Sequence, residues 1–262
     1  MMSKGFKIGF FDSGVGGLNV LYEAFLCLPK NTSFVYYADH DNVPYGNKSS
    51  GEIKNLLFHA LRFLKLEGCD AIVIACNTAS SVANKEFRAS FGVPIIAMEP
   101  AIKPAIVNYP ESRILITATQ ATIIGEKLKN LLDSLNAKNC DLMALPRLVS
   151  YAQAGDFRSA GGYLSTIGLY KYDVVVLGCT HFNYFKKEMK LANLGLDFVD
   201  GNFGTIRHLA HTIGVDLGKN KADIAELMKK TKFFISNLEI TPSEIPLFEK
   251  CLARAKMSRS IK

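Results

Sequence analysis

Short, fully apolar runs alternate with longer stretches of helical period along most of this chain, and that alternation narrows the fold more than any other feature. Runs such as Ala71 to Ala75 and Val174 to Leu177 are too short and too β-branched for helices. They read as strands buried on both faces, which parallel sheets covered by helices require. The first strand is expected at Ile8 to Phe11, then Phe34 to Tyr37, Ala71 to Ala75 and Pro94 to Met98. Between them lie a helix from Leu18 to Leu28 ended by Pro29, one from Glu52 to Leu66 and one from about Ser80 to Phe91. Ile53, Leu56, Leu57, Ala60, Leu61 and Leu64 make one apolar face of the second.

The pattern then restarts. Arg113 to Thr117, Leu142 to Leu145, Val174 to Leu177 and Leu196 to Val199 read as strands, and Ala121 to Leu135 as a helix. Lys7 to Ser13 lines up with Arg113 to Thr119, and some sixty residues later in each half comes a strand ending in cysteine. The fold class expected is α/β: two pseudo-symmetric domains with mainly parallel sheets and the active site in the cleft between them. The chain is expected to cross over at Glu99 to Pro104 and to return with helical residues after about Gly204. That divides it into a first domain of 1–97 plus 208–262 and a second of 98–207.

Cys76 and Cys179 occupy matching settings, in Ala75-Cys76-Asn77-Thr78 and Gly178-Cys179-Thr180-His181. Each stands where a strand gives way to a loop, and ligands of open parallel sheets bind at that end. Both precede helical patterns, so each thiol is expected to feel a helix N-terminus, and His181 lies two residues from Cys179. Asp12 ends the first strand, close to where Cys76 emerges. It reads as a helix cap or as a carboxylate that handles the thiol's proton. Asp12-Ser13-Gly14-Val15-Gly16-Gly17 makes a turn suited to an anion. It is not a dinucleotide fingerprint, because Asn19 stands at the third glycine position, and no GK[ST] occurs. Pro44-Tyr45-Gly46 follows the second strand as a turn that covers a small ligand, with backbone N–H groups and the Tyr45 hydroxyl as donors.

One thiol on each wall of a cleft suits cofactor-free inversion at a carbon acid: one group removes a proton from one face and the other returns a proton to the opposite face. A metal site of Cys76, Cys179 and His181 is a weaker alternative. Without a CxxC pair, structural zinc has little support. Cys27, Cys69, Cys140 and Cys251 read as ordinary small buried or half-buried thiols. The formal charge of +7 permits nucleic-acid binding, but no arginine-rich tract interleaved with aromatics accompanies it. No apolar stretch has the length of a membrane span and the N-terminus is not that of a secretory signal, so a cytoplasmic protein with no membrane partner is expected.

Four segments resemble the glutamate racemases of the aspartate/glutamate racemase superfamily, in the family's order. They are Phe11-Asp12-Ser13-Gly14-Val15-Gly16-Gly17-Leu18, Val43-Pro44-Tyr45-Gly46, Ala75-Cys76-Asn77-Thr78-Ala79-Ser80 and Leu177-Gly178-Cys179-Thr180-His181-Phe182. The resemblance implies cofactor-independent interconversion of L- and D-glutamate, which supplies D-glutamate for peptidoglycan. It implies that Cys76 handles the proton of D-glutamate, assisted by Asp12, and Cys179 that of L-glutamate, assisted by His181. Asp12, Ser13, Tyr45, Gly46, Asn77, Thr78, Thr119, Thr180 and His181 would hold the substrate, with no metal. A homodimer is also implied. Racemisation of aspartate or another amino acid, and restraint of DNA gyrase as a secondary role, stay open as alternatives. The chain departs from the family at Asn183, where a proline is usual, at Gln153-Ala154-Gly155 in place of two acidic residues and a glycine, and at Gly201 in Asp200-Gly201-Asn202.

Overall fold

The computed structural model describes residues 5–261. Strands β1 (Lys7–Asp12), β2 (Ser33–Ala38), β3 (Ala71–Ile74) and β4 (Ile95–Ala97) build the first lobe, and β5 (Ile114–Ala118), β6 (Cys140–Ala144), β7 (Val174–Leu177) and β8 (Asp197–Val199) the second. Both sheets are parallel through these strands, in the orders β2-β1-β3-β4 and β6-β5-β7-β8. The orders match strand for strand, so the restart in the sequence is a repeat in space. β1 and β3 are paired neighbours, as are β5 and β7, which sets Asp12 beside the end of β3.

The helices follow the chemistry of their ends. α1 (Leu18–Cys27) is buried along its whole length, consistent with an apolar segment that carries few polar residues. α2 (Ser50–Leu66) opens with a capping box between Ser49 and Glu52 and buries Ile53, Leu57, Ala60, Leu61 and Leu64. The helix expected over Ser80 to Phe91 is two, α3 (Asn77–Val82) and α4 (Lys85–Ala89). Asn84 breaks it by accepting the Phe87 N–H at 2.9 Å as a new cap. After α5 (Ile102–Asn108), the helix expected over Ala121 to Leu135 is likewise divided into α6 (Gln120–Ile123) and α7 (Glu126–Ser134), with Gly125 between them. α8 (Pro146–Gln153) starts with proline, whose missing N–H costs nothing in a first turn. α9 (Ala160–Leu164) and α10 (Lys186–Ala192) complete the second lobe.

α11 (Asn202–Ile213) carries the chain back and packs on α1, β3 and β4. No strand beyond Val199 is expected from the sequence pattern. The structure places β9 (Thr231–Ile235) there, after α12 (Ile224–Lys229), parallel to β2, followed by the short antiparallel β10 (Leu238–Glu239). Thr231-Lys232-Phe233-Phe234-Ile235 alternates only partly, and β2 supplies the pairing that makes it a strand. The closing helix α13 (Ile245–Arg259) covers the junction. One continuous core runs from α1 through Phe248 and Leu252 of α13 to Phe182, Tyr184 and Phe185 of the second lobe, so the lobes share apolar packing.

Candidate active site

The carboxyl ends of β1, β3, β5 and β7 meet at a cavity of about 200 Å³ between the lobes. That is below the roughly 300 Å³ where pockets for drug-sized ligands begin. Ser13, Tyr45, Gly46, Cys76, Asn77 and Thr78 line it from the first lobe, and Thr119, Cys179, Thr180 and His181 from the second. Asp12 lies just behind Ser13 and is fully buried.

The two thiols are 5% and 6% exposed, buried yet open to the cavity. Cys76 caps α3: its Sγ accepts the Ala79 N–H at 3.5 Å and its S–H points to Ser13 Oγ at 3.6 Å. Cys179 has no such cap. It precedes a 3-10 helix over Thr180–Phe185, and its Sγ lies 3.7 Å from His181 Nδ1. Backbone N–H groups of the following turn nevertheless favour the thiolate at both cysteines: Ala79 at Cys76, and His181 and Phe182 at Cys179. Burial pushes the Cys76 thiol up to about 11, and the nearby Asp12 charge adds to the rise. Burial pushes Cys179 up further, with Cys76 as the next cause. Both thiols are protonated at neutral pH, opposite to the depressed values that a nucleophilic cysteine needs.

Asp12 does not hydrogen-bond to Cys76 among the described residues. Its Oδ1 accepts the Gly14 N–H at 3.0 Å, and its Oδ2 accepts the Thr180 hydroxyl at 3.0 Å, so it bridges the lobes. Burial lifts its carboxyl to about 7 against these hydrogen bonds. The glycine loop is less available to an anion than its sequence suggests, because Val15 N–H is already engaged by Gln153 Oε1 at 2.8 Å. Tyr45 lines the cavity, but its hydroxyl is held by Asp39 and is not free to donate to a ligand. Asn77 is 7% exposed, and its Oδ1 is a buried acceptor with no partner in the protein.

Further contacts draw the walls together. Thr78 and Thr119 hydroxyls pair across the cleft at 3.0 Å, and Tyr184 donates to Val15 O at 2.6 Å. Asn19, the residue that spoils a dinucleotide fingerprint, donates to Gly16 O at 3.0 Å and to Thr180 O at 3.1 Å. Gly16 abuts the second lobe so closely that a Cβ there would lie 2.3 Å from Thr180 Oγ1 and 2.6 Å from His181 Nδ1. His181 is 2% exposed, and burial pushes its imidazole down to about 3, leaving it neutral.

Arg147, not expected from the sequence, lines the cavity from the first turn of α8 beside Val149 and Ser150. Its guanidinium rests 4.8 Å from the Tyr163 ring. With His181 neutral and the thiols protonated, it is the one charged side chain among the described lining residues. The signal available was Leu145-Pro146-Arg147, a helix start just after a strand. Cys76, Cys179 and His181 are not gathered as a metal site: among the described residues no three His, Cys, Asp or Glu side chains are grouped to hold a metal ion. Nor is any described helix long and apolar enough to cross a membrane.

Two parallel α/β lobes of matching strand order, each offering a strand-end thiol to one small cavity, define a class of protein built for acid–base work from both sides of a ligand. The chain belongs to the Asp/Glu/Hydantoin racemase family, whose model matches residues 27–208. It is 44% identical to a glutamate racemase of Campylobacter concisus over 97% of this chain and 99% of that one. It is 41% identical to glutamate racemase 2 of Bacillus subtilis over 91% of this chain and 92% of that one. The crystal structure of glutamate racemase from Campylobacter jejuni superposes with a TM-score of 0.74 at 28% identity, covering 98% of this chain and 99% of that one.

Proposed function

We propose that this chain is a cofactor-independent glutamate racemase, an isomerase that interconverts L- and D-glutamate through Cys76 and Cys179 and so supplies D-glutamate for peptidoglycan. One observation carries the reading: a buried cysteine from each lobe opens on the same amino-acid-sized cavity. The near full-length likeness to glutamate racemases supports glutamate as the substrate.

The chemistry needs only proton transfers. A thiolate on one side takes the Cα proton, and the electron pair left behind delocalises into the α-carboxylate. The thiol on the other side gives its proton to the opposite face, and its sulfur is left as the thiolate. The reverse reaction exchanges the roles. A thiol held near 11 is a well-placed acid and, once ionised, a strong base; at pH 8 only about one Cys76 in a thousand is ionised. The substrate's ammonium brings a positive charge to offset this, and the unpartnered Asn77 Oδ1 is an acceptor suited to it. Ala79 N–H supports a thiolate at Cys76, and His181 Nδ1 is the nearest base to Cys179. The hydroxyls of Thr78 and Thr119 are the donors for carboxylate oxygens, Thr180 completes that wall with its own hydroxyl turned to Asp12, and Arg147 favours an anionic amino acid. Ser13 and the Tyr45-Gly46 turn complete the enclosure.

The test is exchange of the glutamate Cα proton in deuterated water, with aspartate assayed alongside. Wild-type protein is expected to racemise glutamate without added cofactor, and Cys76→Ala or Cys179→Ala to abolish turnover. Turnover surviving both single changes would refute the two-thiol mechanism. A preference for aspartate would refute the substrate.

A further inference from the structure

Gln153 ends α8, and its amide lies directly behind His181. Val15 N–H donates to Gln153 Oε1 at 2.8 Å, and His181 Nε2 is 3.0 Å from the same oxygen. A backbone N–H is a donor at every pH, so the amide atom facing it must be oxygen. That settles which way the side chain is turned. An oxygen with no hydrogen can only accept from His181, so Nε2 carries the ring proton. In the neutral ring Nδ1 then keeps its lone pair. Nδ1 lies 3.7 Å from Cys179 Sγ and 3.5 Å from Thr180 Oγ1. With Asp12 ionised, above about pH 7, the Thr180 hydroxyl hydrogen is directed to Asp12 Oδ2, so the proton within reach of Nδ1 is that of the Cys179 thiol.

We propose that Gln153 is the positioning residue of the Cys179 side of the site: its carbonyl holds His181 as the neutral Nε2–H tautomer, aims Nδ1 at the thiol, and ties that arrangement to the first-lobe loop at Val15. The clamp spans the lobes, because one oxygen is shared by Val15 of the first lobe and His181 of the second. Separating the lobes removes Val15 and frees the amide to rotate, which releases the tautomer. The role in catalysis rests on the two-thiol reading above, while the tautomer itself does not.

An amide cannot neutralise an imidazolium, and no other acid replaces it. Among the described residues no carboxylate is bonded to the ring, and Asp12 reaches it only through the Thr180 hydroxyl. The helices packed against the His181 segment are α1, α8, α10 and α13. Of their charged groups, Glu23 pairs with Arg259, Lys186 with Asp200 and Glu188 with Arg254, while Lys187 and Lys250 stand beside Ala154 and Gly155, beyond Gln153. Cys76 and Arg147 share the cavity with His181.

Nitrogen NMR of protein labelled at its histidines, with His181→Asn to assign the signal, tests this directly. The wild-type ring is expected to show a protonated Nε2 and a bare Nδ1, unchanged between pH 6 and pH 9. Gln153→Met, which keeps length and removes the carbonyl, is expected to give a mixture of tautomers. Gln153→Glu is expected to bring a protonated imidazolium into the same pH range. With glutamate, kcat/KM must fall equally in both directions because the equilibrium constant of a racemisation is one. The expected fall for Gln153→Met is tenfold or more. The asymmetry appears in the isotope effect of Cα-deuterated substrate, which should grow from L-glutamate and shrink from D-glutamate. Nδ1–H in the wild type overturns the proposal, whether or not the variants fold. So does a Gln153→Met protein with an unaltered tautomer. Absence of glutamate exchange with the tautomer pattern intact would instead remove the proposed function and leave the clamp standing.

Discussion

Replacing Asp12 by Asn should cut activity sharply and yet stabilise the fold, relative to the wild type, by an amount that grows with pH in a calculable way. Asp12 is fully buried, and desolvation lifts its carboxyl from 3.8 to about 7. The folded protein keeps the proton up to about pH 7, whereas the unfolded chain releases it near 3.8. Between those values the folded state binds more protons, so stability falls as pH rises through that window and is flat above it. The total penalty from this group is about 4 kcal/mol. Asn does not titrate, so it escapes the penalty. Its Oδ1 still accepts the Gly14 N–H, and its amide can donate to Thr180 Oγ1. Altered hydrogen bonds to the neighbouring backbone shift the whole comparison by a constant. The diagnostic quantity is therefore the change with pH: the Asn variant should gain about 3 kcal/mol on the wild type between about pH 4.5 and pH 8. Urea unfolding followed by circular dichroism at several pH values measures it. In the same samples, proton exchange into glutamate should fall by roughly a hundredfold or more. A stability difference that stays level across this range would show that Asp12 is not held protonated by its burial, and the argument for its environment would fail.

Three other changes probe separate parts of the structure. Gly16→Ala sets a methyl carbon against Thr180 and His181 and should strip activity, because the lobes cannot close on the cavity; full turnover in this variant would show that the loop yields easily. Arg147→Gln should raise KM for glutamate several-fold in both directions with kcat little changed, and should flatten the dependence of kcat/KM on salt; a change in kcat alone would place Arg147 in the chemistry instead of in binding. Phe248→Ala removes a fully buried ring that packs 5.2 Å from Phe233 and 6.1 Å from Tyr36, and should cost about 3–5 kcal/mol in chemical denaturation; a cost under about 1 kcal/mol would mean that α13 is dispensable to the first lobe.

β1 to β5 and β7 were legible because each carries a run of buried apolar residues, which leaves little choice of residue, whereas β6 and β8 are only half-buried and were read from their place in the repeat. The breaks at Asn84 and Gly125 were missed although both residues are visible, since continuing periodicity on either side hides a local cap. β9 was missed for a different reason: Thr231 to Ile235 becomes a strand by pairing with β2, nearly two hundred residues earlier in the chain. At the site, Cys76, Cys179 and His181 could be read from position alone. The engagement of the Tyr45 hydroxyl by Asp39 and the lining role of Arg147 could not, because neither side chain's direction is set by its neighbours in sequence.

The repeated strand-and-helix order and the cysteine at the same point of each repeat are written in the local pattern of residues. Hydrophobic periodicity, turn residues and strand ends are local properties, and a parallel sheet puts all such ends on one side. The state of those groups is set by how the two lobes pack. Burial protonates the two thiols and neutralises His181, the Thr180 hydroxyl reaches Asp12 from the other lobe, and Gln153 joins His181 to Val15. Desolvation and hydrogen bonding between residues more than a hundred positions apart depend on how the lobes meet. No window along the chain contains that information.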